Sequence, residues 1–420
     1  QTKFLILRGW VMCIRYKKTR IITVNSSMNP SILAVALLLL TPPVLSQPDP
    51  DWLYNGASTL MRHFHSRFGH QMCQYGIHTE SNVVFSAFRI FESLATIYSA
   101  ASDSVRDELN LHLGIYGERR ELMCHTMERM RQLIPCLDDT HFGAMFDHVM
   151  FHQSGLHPNE TIIDNQCFNG QLKPVDFTDP EESLNGINEW HEELSPSHYR
   201  QYLDIPPNKT DQLFFTNGIS FCFSRMAPYI SDGYMNMIDI NGNTRQVKAM
   251  KKYGKMYVLK DPKSNVTIIR EDLLGGAYYS VIVTQDNFEP NDHVKFMNMF
   301  GGGILSELLL RVLKVTSAKL MEVRMPEIKM ETRLDLKEIL TLIASESMFK
   351  HGALLKLFNI ETNLECFPYF EALNITGKHS STENPINGAV MTAITNPFLF
   401  LILDRQYSRP LITVSHLGFN

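Results

Sequence analysis

The chain has 420 residues, 44% hydrophobic and 20% charged, with a formal net charge of −5. That length and apolar content are enough for one large core, and the mildly acidic balance excludes the basic footprint of a nucleic-acid binder. No internal repeat or long low-complexity run is present, which excludes a solenoid.

Residues 1–27 carry no domain-like pattern and are read as upstream sequence. From Met28 the chain reads MNPSILAVALLLLTPPVLS. Its apolar stretch Ile32 to Leu40 is too short to cross a bilayer and suits a signal peptide over residues 28–46, with Val44 and Ser46 as the small residues before a mature start at Gln47. The alternative is an uncleaved signal anchor with Arg15, Lys17, Lys18 and Arg20 on the cytoplasmic side. On the first reading residues 47–420 are a secreted, extracellular chain with no membrane span. Four sequons, at Asn159, Asn208, Asn265 and Asn374, are then glycosylation candidates. Cysteines 73, 124, 136, 167, 222 and 366 form an even set downstream of the leader. Disulfides and buried free thiols both fit, and the spacings match no metal site.

Further along, Leu53, Leu60, Met61, Phe64 and Phe68 recur near a helical period, which predicts an amphipathic helix over Trp52 to Gln74. A short strand-like run, Ser81 to Ile90, enters a second helix, and Val105 to Leu113 forms a third. His191-Glu192-Glu193 lacks the second His that would pair two zinc ligands on one helix face. His63 and His65 point to different sides of their element, so these histidines are expected on the solvated surface. Gly301-Gly302-Gly303 has no following Lys-Ser/Thr and reads as a turn before the helix-like Ile304 to Val312. No Ser lies in G-x-S-x-G and no Cys in a protease signature, so no catalytic residue, cofactor or metal is expected.

Several stations in chain order carry a resemblance. Asn82 and Ser86 match N-x-x-x-S, although Ala87 and Arg89 replace a Pro and a Ser. Val175-Asp176-Phe177 is followed by Ile187-Asn188-Glu189-Trp190, matching V-D-F and I-N-x-W. Leu213 to Phe221 places Asn217 in an apolar strand, and Val323 to Lys329 places Pro326 between two strands. Asn396-Pro397-Phe398 opens the apolar run Phe398 to Leu403. In that order, from Trp52 to the C-terminus, the chain resembles the serpin family. It departs from the family at Cys222 and Arg225, where Lys and Trp are usual, and in lacking E-x-P-Y at 270–273. The resemblance implies an α+β fold: one serpin-like domain over 47–420, with a large, mainly antiparallel central sheet, further sheets, and eight or nine helices mostly in the N-terminal half. It also implies a monomer. Arg89 would lie beneath the central sheet, where its charge needs a partner or water.

The resemblance further implies an exposed reactive loop over about 380–396, in which Thr382, Glu383, Asn384, Pro385, Gly388, Ala389, Met391 and Ala393 are the residues of interest. An inhibitory serpin inserts this loop as a new central strand, which demands a flexible hinge of small residues that each supply a backbone N–H. Here Asn384 and Pro385 stand where Gly and Thr are usual, and Pro has neither the N–H nor the freedom of φ. Thr382 to Asn396 is 15 residues, and a cut midway leaves about seven, or roughly 23 Å at about 3.3 Å per residue. The expected function is therefore that of a non-inhibitory serpin-fold protein binding an extracellular protein or small ligand. The alternative is an inhibitor of a serine protease with a non-tryptic pocket, since no Lys or Arg lies between Ser380 and Asn396 while Met391 or Ala393 suits a chymotrypsin- or elastase-like enzyme.

Overall fold

A computed structural model describes residues 3–7, 10–14, 51–113, 144–160, 171–194, 202–222, 229–273, 278–290, 293–300, 303–335, 337–343, 346–350, 364–365, 368–375, 377–378, 388–405 and 410–419. The chain divides into Gln1–Tyr54 and Asn55–Asn420. In the first unit β1 (Lys3–Leu7) and β2 (Trp10–Ile14) pair antiparallel, in a stretch whose sequence carries no domain-like pattern. The leader read over 28–46 lies outside the described residues.

Helix α1 (Asp51–His78) buries Met61, Phe64, Phe68 and Met72 on one face, as their spacing requires. It runs past Gln74 because its end is closed further on: the Ser81 N–H donates to the Gly76 carbonyl at 2.9 Å, and Glu80 adopts φ 49°. Gly69 lets the helix pass Phe300, whose ring would lie 2.5 Å from a Cβ there. Next come β3 (Val83–Phe85), α2 (Ala87–Ala100), buried at every residue, and α3 (Asp103–Leu113). Then follow β4 (Ala144–Gln153), β5 (Gln171–Val175), α4 (Pro180–Leu194) and β6 (Leu213–Cys222). The middle of the chain supplies β7 (Tyr229–Ile238), β8 (Thr244–Asp261), β9 (Val266–Leu273), β10 (Tyr278–Gln285), α5 (His293–Asn298) and α6 (Ile304–Leu313). The last part holds β11 (Ala318–Pro326), β12 (Ile328–Asp335), α7 (Lys337–Ile343), β13 (Leu364–Glu365), β14 (Pro368–Ile375), β15 (Gly377–Lys378), β16 (Val390–Ala393), β17 (Phe398–Asp404) and β18 (Pro410–His416).

These strands make two large sheets. One has the order β12-β14-β6-β4-β5, with β13 also on β6. It is mixed: β6 runs parallel to β14 and β4 parallel to β5. The ten-stranded sheet has the order β15-β7-β8-β9-β10-β17-β18-β3, with β11 joining β8 to β16. Its strands β17 and β18 are buried at every position, as the unbroken apolar run Phe398 to Leu403 leads one to expect for β17. The chain steps from β11 to β12, and so from one sheet to the other, at buried Pro326, where the Glu327 N–H leaves the ladder to donate to the Lys248 carbonyl at 2.9 Å. Seven α-helices lie among the described residues, four of them before residue 195, against the eight or nine expected. Residues 114–143 and 351–363 lie outside the described residues.

Two of the histidines expected on the surface are buried. His65 is 1% exposed, with Nε2 2.9 Å from Thr413 Oγ1. His191 is 0% exposed, stacked 3.6 Å from Tyr202 with Nε2 3.0 Å from Thr216 Oγ1. Each places one ring nitrogen on a hydroxyl, which offsets the cost of burying it. His63 is exposed as expected.

Candidate functional site

The segment after β14 is held at both ends. Two residues past Ile375 the chain pairs again, parallel to β7, through Gly377↔Tyr229 and Lys378↔Ile230. At the far end β16 pairs parallel to β11, from Met321↔Val390 to Arg324↔Ala393. The Ile394 N–H then donates to the Arg324 carbonyl, and the Ile238 N–H to the Thr395 carbonyl, both at 2.8 Å. Buried Pro397 follows, and Phe398 stacks on His416 at 4.8 Å. Strands β7, β8 and β11 lie side by side between β15 and β16. The two anchors therefore stand on opposite edges of one sheet, about 19 Å apart by strand spacing. Residues 379–389 make the connection.

Thr382, Glu383, Asn384 and Pro385 lie outside the described residues. Gly388 is exposed at φ 89°, a backbone conformation that favours glycine. Ala389 is half-buried. Met391, 74% exposed, and exposed Ala393 sit in a strand rather than in the free loop expected over 380–396. Their main chain is committed to the ladder with β11, while their side chains face out.

A charged cluster lies beside this strand. Arg324, the ladder partner of Ala393, bonds Asp232 through Nε and donates from Nη2 to the Asp232 and Tyr234 carbonyls at 3.2 and 3.0 Å. Lys251 Nζ meets the other Asp232 oxygen at 2.6 Å. Burial acts to raise the Asp232 carboxyl, but hydrogen bonds from Lys251 and Arg324 outweigh it and hold the group below the usual carboxylate range.

The six-stranded sheet is closed where an extra strand would enter. Strand β6 is paired directly with β14 from Asn217↔Tyr369 to Cys222↔Asn374. Helix α2 packs against β6 and β18, and its Arg89 is paired with Glu92 there, which supplies the partner its burial demands. The Val84 N–H on β3 donates to Thr332 Oγ1 on β12 at 3.0 Å, tying the two sheets together.

The other sequence-singled residues have structural work. Ser86 caps α2, its hydroxyl accepting the Arg89 N–H at 3.2 Å. The Asn82 side-chain oxygen accepts the Leu417 and Phe419 N–H groups at 2.8 and 3.3 Å, and its amide donates to the Phe419 carbonyl. Asn188 brackets Leu203 in the same way, accepting at 2.7 Å and donating at 3.0 Å. Trp190 meets Phe151 edge-on at 5.9 Å. Asn217 occupies a β6 position opposite His148 on β4. Asn159 and Asn265 are half-buried, Asn208 is exposed, and Asn374 lies in β14. Cys73 is a buried free thiol, pushed up to about 12 by its burial. Among the described residues no group of His, Cys, Asp or Glu is placed to hold a metal, and no helix is long and apolar enough to cross a membrane. The sequence did not indicate the β15 anchor, which is two residues long, or the Asp232–Lys251–Arg324 cluster, whose members come from three strands.

Comparison with known proteins agrees with this arrangement. The family model described as "Serpin (serine protease inhibitor)" matches residues 62–414. Iripin-3 of Ixodes ricinus is 22% identical over 357 residues, covering 80% of this chain and 89% of that protein. An uncharacterized serpin-like protein of Methanosarcina acetivorans is 23% identical over 195 residues, or 44% of this chain. The solved structure of a tumour suppressing serpin is similar with a TM-score of 0.71 at 16% identity, covering 86% of this chain and 98% of that one. Uncleaved ovalbumin gives 0.69 at 16% identity, covering 85% and 99%. At such identities these two structures bear on the fold alone.

Proposed function

The chain belongs to the serpin family, and from that premise we propose that it is a secreted, non-inhibitory member that acts by binding an extracellular protein or small ligand. The observation that carries this reading is the tether on both sides of the loop. Only residues 379–389 lie between Lys378 on β7 and Val390 on β11. To trap a protease, the segment before the cut must enter between β6 and β14 as a full strand. Strand β6 is ten residues long, or about 33 Å. A cut midway through 379–389 leaves five or six residues of that segment, about 20 Å. Any cut beyond Pro385 adds a residue that cannot donate to the ladder.

The second reading, a serine protease inhibitor working as a substrate-like competitor, is favoured by the outward side chain of Met391. One experiment separates the two. The chain is incubated with trypsin-, chymotrypsin- and elastase-like enzymes, each followed by a denaturing gel and an activity assay. The binding reading expects no complex that survives denaturant and undiminished enzyme activity. A stable complex with any of the three sinks it.

A further inference from the structure

We propose that the chain carries an N-linked oligosaccharide at Asn208, and that the sequons at Asn265 and Asn374 stay bare. The proposal rests on the reading that the chain enters the secretory pathway. Thr161 and Thr376, which complete the sequons at Asn159 and Asn374, lie outside the described residues, so Asn159 is left aside and Asn374 is judged from its backbone pairing alone.

The three sequons occupy different physical settings. Asn208 is exposed, in the connection between α4 and β6. Its carbonyl and N–H are both tied to Asp211, at 2.8 Å each, which fixes a tight turn. Within that turn the side-chain oxygen of Asn208 accepts both the N–H of Thr210 at 3.0 Å and its hydroxyl at 2.9 Å. The amide nitrogen, the atom that takes the sugar, has no partner among the described residues. The sequon's Thr hydroxyl is thus already on the acceptor amide, and the residue is exposed.

Asn265 is the opposite case. It sits at φ 55° between β8 and β9, and its amide forms a reciprocal pair with Asn287, accepting from Asn287 Nδ2 at 3.0 Å and donating to the Asn287 carbonyl at 3.5 Å. Substituting its nitrogen would break that pair in a half-buried turn. Asn374 lies inside the six-stranded sheet, its backbone paired with Lys329 on one side and Cys222 on the other. A strand position paired on both sides is not the surface turn on which a bulky glycan belongs.

The transfer balances with one named co-reactant, a polyprenyl-diphosphate-linked oligosaccharide. The Asn208 nitrogen attacks the first sugar carbon, an N–C bond forms as the C–O bond to diphosphate breaks, the diphosphate leaves with the bonding pair, and the nitrogen gives up one proton. The consequence deepens the binding reading. Asn208 precedes the start of β6, whereas the loop departs near its other end, ten residues and about 33 Å away. A glycan there leaves the loop end of the sheet open and covers the pole to which a trapped protease would be carried.

The test uses the full chain in secretory animal cells, once with its own N-terminus and once behind a heterologous cleavable leader. Glycans are removed by peptide N-glycosidase in heavy-oxygen water, which marks each formerly occupied Asn as labelled Asp for mass spectrometry. The expected result is label at Asn208 and none at Asn265 or Asn374. Asn208→Gln and Thr210→Ala should each remove the same gel-mobility step, whereas Asn265→Gln removes none. Bare Asn208 in the leader form, or label at Asn265 or Asn374, overturns the assignment. If only the leader form is labelled at Asn208, the assignment stands and the secretion reading fails.

Discussion

Glu92→Ala tests how the packing beneath the six-stranded sheet is held. The Arg89 and Glu92 side chains are 10% and 1% exposed and face each other within one buried helix. Removing the carboxylate leaves a guanidinium in a site with little water, which costs about 3–5 kcal/mol, whereas an exposed pair would cost about 1 kcal/mol or less. The cap of α2 is unaffected, because Ser86 holds the Arg89 backbone N–H and not its side chain. Replacing both residues together, as Arg89→Met with Glu92→Leu, removes the buried charge itself and should recover most of the loss. Urea unfolding of the parent, Arg89→Met, Glu92→Leu and the double variant gives the coupling directly, and about 2 kcal/mol or more is expected. Additive losses, or a Glu92→Ala cost below about 1 kcal/mol, would refute the view that this pair satisfies a buried charge.

Three further outcomes follow from described contacts. Asn82→Ala strands three backbone groups of Leu417 and Phe419 and should cost about 2 kcal/mol or more in urea unfolding, with faster cleavage of the C-terminal tail by carboxypeptidase. Burial lowers His65 and His416 to about 3. Between about pH 6.5 and pH 3 the unfolded chain therefore binds protons that the folded chain excludes. Stability should fall with acid through that window by about 1.4 kcal/mol per pH unit for each ring and be flat above it on their account. Urea midpoints measured from neutral pH down to about pH 5 check this, and His65→Gln should make the slope shallower. The bond after Met391 should resist chymotrypsin-like enzymes in the native chain, because β16 is paired along its length with β11. Cleavage there at the rate seen in urea-unfolded chain would show that the strand is open.

Much of the fold was legible because its signals are local. The apolar run Phe398 to Leu403 reads as a strand covered on both faces, and the spacing of Met61, Phe64 and Phe68 fixed the buried face of α1. The same spacing carried an unread signal. His65 lies four residues after Met61 and three before Phe68, squarely on the apolar stripe, so its burial was available from the pattern had the residue not been assigned to the surface by type. His191 gave no such signal, since its partners Tyr202 and Thr216 both lie outside its helix. At the candidate site the composition of the loop was legible and its tethers were not. Gly377–Lys378 and Val390–Ala393 pair with distant segments through strands of two and four residues, too short to carry the alternating pattern that specifies register.

The central claim is that this loop cannot enter the sheet, and thermal melting of intact chain beside chain nicked once between Ser380 and Asn396 tests it most directly. Insertion would add a full set of ladder hydrogen bonds and apolar contacts between β6 and β14, and would raise the melting temperature far beyond that of the intact chain. The account predicts a change of only a few degrees, with β6 and β14 still neighbours after the cut. A nicked chain that resists melting well above the intact one would contradict it.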